Sequence, residues 1–214
     1  MSTINVLLAD DHVILRKGVI EILETASDIK VVAEASDGAV ALNLVQDKSL
    51  NLSIAVIDLN MPEIHGLDLL KQIRSIKPDL PVLVLSMYPE DQYARRVIKN
   101  GGAGYLTKES APDDLIKAIR RIIQGGRYIS PEVADILAFD FQHDYEGELH
   151  ERLSDREYEV FVMISSGKSS SEIAEELNLS VKTISTNRSR ILEKMQMKNN
   201  AQLTHYAIKR GLVM

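Results

Sequence analysis

The chain has 214 residues, 45% hydrophobic and 26% charged, with a formal net charge of −6 and no cysteine. That suits one large or two small globular domains, and it excludes a disulfide framework, thiolate metal sites and thiol catalysis. The start, Met1-Ser2-Thr3-Ile4-Asn5, has no basic n-region and no stretch approaches ~18 apolar residues, so neither a signal peptide nor a membrane span is expected, and the setting reads as cytoplasmic.

In chain order, apolar runs of strand length cover Asn5–Ala9, Val31–Ala35, Ile54–Asp58, Val82–Ser86 and Gly104–Thr107. Helix-period segments lie between and after them, at 12–26, 38–48, 66–77, 90–100 and 111–125. Five strand–helix units predict an α/β domain with a five-stranded parallel, doubly wound sheet. In such sheets a site forms outside the carboxyl ends of the strands. Asp10 and Asp11 follow the first strand, Asp58 ends the third, Ser86 ends the fourth and Lys108 follows the fifth. The unusual polar residues therefore share one edge. Singly, Asp58 reads as a turn or cap aspartate, Ser86 as a strand-end cap, Tyr105 as a half-buried strand aromatic and Lys108 as a surface lysine.

Carboxylates gathered at one edge repel one another unless a divalent cation binds among them, and Mg²⁺ suits an all-oxygen set. Asp58 is then placed to attack a phosphoryl group. Lys108 and the metal would balance charge on the phosphoryl oxygens, and the Ser86 hydroxyl would hydrogen-bond one of them.

Charge distribution separates this part from the rest of the chain. Residues 1–130 carry 15 basic and 17 acidic side chains, residues 131–153 carry 1 and 7, and residues 154–214 carry 9 and 7. The stretch 140–148 reads as an acidic linker, with His143 and His150 expected to be exposed. No metal motif includes any histidine. Beyond it the chain reads as an all-α unit of four helices, at 154–165, 170–178, 181–196 and 200–210. Ser154-Asp155-Arg156-Glu157 and Ser169-Ser170-Ser171-Glu172 are capping boxes, and Gly167 suits the position just past a helix end. Asn178-Leu179-Ser180 is a three-residue break of the helix-turn-helix kind. In the third helix Ile184, Ile191, Leu192 and Met195 share one face, expected to pack on Ile173, Ala174 and Leu177. The opposite side offers Lys182, Ser185, Thr186 and Ser189, with Arg190 at its edge, and Thr183 is counted with them as a DNA-binding candidate. Ser and Thr suit base edges, while Lys182, Arg188, Arg190 and Lys194 suit DNA phosphates. In the last helix Leu203, Ala207 and Ile208 are expected either to pack internally or to serve a dimer.

Residues 1–125 resemble the receiver domain of two-component response regulators, a flavodoxin-like fold. The resemblance rests on Asp10-Asp11, Asp58 with Met61-Pro62 and Gly66, Ser86, and Tyr105-Leu106-Thr107-Lys108. It implies phosphorylation of Asp58 by a sensor histidine kinase, Mg²⁺ held by Asp11, Asp58 and the Asn60 carbonyl with Asp10 helping through water, and switch roles for Ser86 and Tyr105. Glu109 stands where many receivers have proline. Residues 153–214 resemble the LuxR-type helix-turn-helix through Leu153–Glu157, Gly167, Glu172–Leu177 and Ser180–Ser185. With 126–152 as linker, the chain resembles a NarL/FixJ-family response regulator. That implies a non-enzymatic transcription factor that dimerises when phosphorylated and binds paired DNA half-sites. The alternatives are a small α/β phosphohydrolase and a regulator that works without phosphorylation. Asn60, where such a hydrolase would carry a general-acid aspartate, argues against the first. The intact acidic set argues against the second.

Overall fold

The structure, a computed structural model, describes residues 3–110, 112–131, 133–135 and 148–213. The chain divides into two compact units, Met1–Phe139 and Asp140–Met214.

The first unit alternates strand and helix: β1 (Ile4–Ala9), α1 (Val13–Glu24), β2 (Ile29–Ala35), α2 (Gly38–Gln46), β3 (Ile54–Ile57), α3 (Gly66–Ile76), β4 (Val82–Ser86), α4 (Glu90–Lys99), β5 (Gly104–Thr107) and α5 (Pro112–Ile123). All strand pairs are parallel, in the order β2-β1-β3-β4-β5. The apolar runs made this legible. Ile54, Ala55, Val56 and Ile57 are all buried, as a central strand covered on both faces requires. On one face Val6, Leu8, Val56, Leu83 and Leu85 pack with Leu23 of α1 and with Leu115 and Ile119 of α5. The direction of strand order reverses between β1 and β3, so the crevice for a site opens where those two strands end.

Beyond α5 the chain returns to the sheet. Tyr128 donates its N–H to Ala103 O at 3.0 Å and its carbonyl accepts from Tyr105 N–H at 3.1 Å. A Cβ on Gly104 would stand 2.7 Å from that carbonyl, so the approach needs glycine there. Part of the stretch read as linker, around Tyr128, thus rests on the first unit. Of the acidic stretch 140–148, residues 140–147, His143 among them, lie outside the described residues.

The second unit opens with a 3₁₀ turn, Leu149–Arg152, followed by α6 (Asp155–Ser165), α7 (Ser170–Glu176), α8 (Val181–Lys194) and α9 (Asn200–Lys209). Both capping boxes are present: Ser154 with Glu157, and Ser169 with Glu172. Gly167 ends α6 at φ 90°, with Lys168 N–H bonded to Met163 O and Gly167 N–H to Ile164 O. The turn between α7 and α8 repeats that motif with Asn178 in the left-handed region, φ 51°. Leu179 N–H bonds Ala174 O at 2.8 Å and Asn178 N–H bonds Glu175 O at 3.2 Å. Asparagine is among the few side chains that adopt this backbone readily. Ser180 then caps α8, accepting from Thr183 N–H at 3.0 Å. Ile173, Ala174, Leu177, Ile184, Ile191 and Met195 are buried as expected, while Leu192, read on the same face, is half-buried.

One expectation is corrected here. His150 is 6% exposed, not a solvated linker residue. Its Nδ1 lies 3.0 Å from the Tyr206 hydroxyl, which donates to Glu148 at 3.1 Å, and Arg210 pairs with Glu148 at 3.0 Å. Burial, with the Glu148 carboxylate alongside, pushes the Tyr206 hydroxyl up to about 12. In α9, Leu203 and Ala207 are buried, as internal packing requires, and Ile208 is 54% exposed.

Candidate functional site

Asp10 and Asp58 are set by the sheet itself. Asp10 N–H bonds Ala35 O at 3.1 Å, and Asp58 N–H bonds Ala9 O at 2.9 Å, so the ladder runs one residue past β1 and β3. Both side chains are buried, at 2% and 3% exposure. Gly66 lets the start of α3 close over this edge: a Cβ there would lie 2.3 Å from Asp58 O.

Lys108 reaches across from the end of β5. Its Nζ lies 2.6 Å from Asp10 Oδ2 and 2.7 Å from Asp58 Oδ2. Asp10 Oδ1 accepts from His12 N–H at 2.8 Å, and His12 Nδ1 lies 2.7 Å from Asp11 Oδ1. Asp58 Oδ1 is buried with no donor at hydrogen-bonding geometry among the described residues. Burial pushes the Asp58 carboxyl above its ordinary range; Lys108 pulls it down and the Asp10 charge pushes it up. Burial pulls the Lys108 ammonium down, but the two carboxylates outweigh this and hold it above its ordinary value.

Donor atoms of Asp10, Asp11, His12 and Asp58 all lie within 4.8 Å of one another. A hard divalent cation fits this set: the carboxylates outnumber the single ammonium, and Asp58 Oδ1 is a buried acceptor still to be satisfied. His12, which belongs to no metal motif in the sequence, lies in this cluster through its Nδ1, which faces Asp11.

Ser86 and Tyr105 meet through the loop after β4. The Ser86 hydroxyl accepts from Tyr88 N–H at 3.3 Å, and the buried Tyr105 hydroxyl donates to Tyr88 O at 2.8 Å. The Tyr88 ring stacks on Tyr93 of α4, with centroids 4.7 Å apart. Ser86 O also accepts from Lys108 N–H at 2.8 Å.

In the second unit, Lys182, Thr183, Ser185, Thr186, Ser189 and Arg190 are exposed on α8, and Arg188 is half-buried. Thr186 and Ser189 currently donate their hydroxyls to Lys182 O and Ser185 O, at 3.0 and 3.1 Å. Arg188 Nε donates to Asn200 Oδ1 at 2.7 Å. Lys182 and Arg190 make no ion pair among the described residues.

Lys194 is engaged differently from the other three cations. Its Nζ lies 2.6 Å from Glu157 Oε2, the oxygen that also closes the capping box on Ser154 N–H at 2.7 Å. Burial pushes the Glu157 carboxyl up, but hydrogen bonds from Lys194 and Ser154 outweigh it and hold it below its ordinary range. A folded-state pKa below the unfolded one means that this stabilisation is present at neutral pH. It is lost as pH falls below the ordinary glutamate range. Lys194→Ala is therefore expected to destabilise the unit by about 1–2 kcal/mol in urea unfolding, since it strands a buried carboxylate.

Residues 6–120 match the family described as response regulator receiver domain, and residues 151–207 match bacterial regulatory proteins, luxR family. The chain belongs to the NarL/FixJ family of response regulators. This response regulator is 36% identical to the response regulator UvrY of Escherichia coli (strain K12) over 98% of its own length and 95% of that protein. It is 34% identical to the response regulator GacA of Pseudomonas aeruginosa, over 98% of each chain. Among solved structures it is similar to the complex of the two-component response regulator RcsB with DNA, at 30% identity, TM-score 0.60 and full coverage of both chains. It is also similar to RcsB from Salmonella enterica serovar Typhimurium bound to promoter P1flhDC with the phosphomimetic BeF3-. That match is at 30% identity and TM-score 0.60, over 96% of this chain and 98% of that one. The response regulator thus couples a receiver to a LuxR-type DNA-binding domain and acts in transcription regulation. None of its described helices is long and apolar enough to cross a membrane.

Proposed function

We propose that the receiver is switched by phosphorylation of Asp58 and that α8 is the DNA-reading helix it controls. Asp10, Asp11, Asp58 and the Asn60 carbonyl would hold Mg²⁺, which would neutralise charge on the phosphoryl oxygens. An Asp58 oxygen forms the new P–O bond while the P–N bond of a kinase phosphohistidine breaks, and the leaving imidazole takes up a proton. Lys108 gives up its pairing with Asp58 and holds the transferred group. Ser86 offers its hydroxyl to the same group, and Tyr105 answers its movement. The observation that carries this reading is the buried, unsatisfied Asp58 Oδ1 inside an acidic set that one lysine cannot balance.

Val13, Ile14 and Leu15 begin α1 directly after Asp11 and His12, at 53%, 86% and 41% exposure. An apolar patch at the pocket's rim suits docking of a partner helix, and we assign it to the sensor histidine kinase. On the output side, Lys182, Thr183, Ser185 and Ser189 would face the major groove with Thr186. Arg188, Arg190 and, once freed from Glu157, Lys194 would meet phosphates. Residues 1–125 and 153–214 act as the two domains, 126–152 joins them, and the active form is a homodimer on half-sites about one helical turn apart. The setting is cytoplasmic and the role is not that of a turnover enzyme.

The test is labelling of the purified chain from acetyl phosphate with Mg²⁺. The expected product is acid-labile, is removed by hydroxylamine and is absent from Asp58→Ala. A hydroxylamine-stable phosphate, or labelling that survives Asp58→Ala, contradicts the assignment. Fast multiple turnover on a phosphate ester would favour the hydrolase instead.

A further inference from the structure

Glu90, the first residue of α4, accepts a hydrogen bond from Ser130 N–H at 3.0 Å. Ser130 heads the segment that leaves the receiver: its carbonyl accepts from Ala134 N–H at 3.0 Å and its hydroxyl from Val133 N–H at 3.2 Å. Two residues earlier, Tyr128 is bonded to the backbone of Ala103 and Tyr105. This segment is therefore held at two points. One is the edge of β5 beside Tyr105, an approach that Gly104 makes possible. The other is the start of α4.

The start of α4 is tied in turn to the pocket. Only Pro89 separates Glu90 from Tyr88. The Tyr88 backbone is gripped on both sides, its N–H donating to Ser86 Oγ and its C=O accepting from the Tyr105 hydroxyl. Its ring stacks on Tyr93, one turn into α4. A movement of Ser86 toward a phosphoryl group breaks the first grip, and a rotation of Tyr105 breaks the second. Both losses fall on one residue, two positions before Glu90.

We propose that Glu90 is a latch on the segment leaving the receiver, and that the Ser86–Tyr88–Tyr105 hydrogen bonds hold it closed until Asp58 is phosphorylated. The latch rests on the phosphorylation reading above and adds the regulated element to it. Opening needs no new contact. It releases Ser130 N–H, so the segment carrying the linker gains freedom when the pocket is charged. Tyr88 is the positioning residue through which the pocket acts on Glu90.

The test is amide exchange of Ser130 in the full-length ¹⁵N-labelled protein, read by NMR, with intact mass reporting the extent of phosphorylation. In the wild type, acetyl phosphate with Mg²⁺ should speed exchange at Ser130 by about tenfold. Without phosphodonor, Glu90→Ala and Tyr105→Phe should each speed it, and Glu90→Gln, which keeps the acceptor, should restore much of the protection. Fast exchange in Glu90→Ala with no response to Tyr105→Phe or to stoichiometric phosphorylation reduces the bond to a static contact and overturns the latch. Unchanged exchange in Glu90→Ala overturns it as well. Should Asp58 fail to take the phosphoryl group, the functional reading fails, while the Glu90 and Tyr105 variants still decide the latch.

Discussion

Asp58→Asn raises the stability of the metal-free chain by on the order of 1 kcal/mol while ending its phosphorylation. The reason lies in the pocket's unbalanced charge. Asp58 is buried, has one oxygen on Lys108 and the other without a hydrogen bond of good geometry, helped only by the nearby Asn60 N–H, and lies close to the carboxylates of Asp10 and Asp11. Its folded-state pKa is raised, so the ionised form is disfavoured by folding, and at neutral pH that form costs stability. The sign sets the pH dependence. As pH falls through the raised Asp58 value toward the ordinary carboxylate range, the wild type protonates and the advantage of the variant shrinks. Mg²⁺ should reverse the order, since a ligand that binds only the folded state stabilises by about 2.7 kcal/mol at a hundredfold excess over its Kd. Thermal unfolding of both proteins, with and without Mg²⁺, at pH 7.5 and near pH 5, checks each part. A metal-free variant no more stable than the wild type would show that Lys108 already balances the site.

Ser185→Glu combined with Ser189→Glu lowers affinity for a mapped promoter by about a hundredfold or more. Both residues are exposed on the same side of α8, one turn apart, and they are small enough to let the helix approach the groove closely. Two carboxylates there would meet base acceptors and phosphates, and each unfavourable contact costs about 1–3 kcal/mol. The fold should tolerate the change. Glutamate is at least as good a helix former as serine, and a like-charged pair at i, i+4 costs only a few tenths of a kcal/mol. Fluorescence anisotropy at fixed salt, beside an unfolding curve, separates the two effects. Unchanged specific affinity with an intact fold would mean that another element reads the DNA.

The elements were legible wherever a local pattern decides structure. Ile54–Ile57 is apolar throughout because both its faces are covered, and a polar residue directly after such a run can only stand at the strand mouth. That rule is enough to bring Asp10, Asp58, Ser86 and Lys108 to one edge. The S-x-x-E boxes were legible for a similar reason, since cap and acceptor are three residues apart. What stayed hidden depends on partners distant in sequence. His150 lies just beyond an acidic, linker-like stretch, and only the 3₁₀ turn that carries it to Tyr206 explains its burial. Lys194 looked like one more DNA cation until Glu157, on another helix, took it up. No motif flagged Tyr88, because its role comes from backbone bonds to Ser86 and Tyr105 and not from its own side-chain chemistry.

The proposed switch makes the DNA affinity of α8 depend on phosphorylation of Asp58. Promoter affinity of wild type and Asp58→Asn, each with and without acetyl phosphate and Mg²⁺ at one salt concentration, measures that link. Phosphorylation of the wild type should raise affinity by about tenfold or more, and the same treatment should leave Asp58→Asn unchanged. An equal gain in the variant, or none in a wild-type sample shown by intact mass to be phosphorylated, would refute the link.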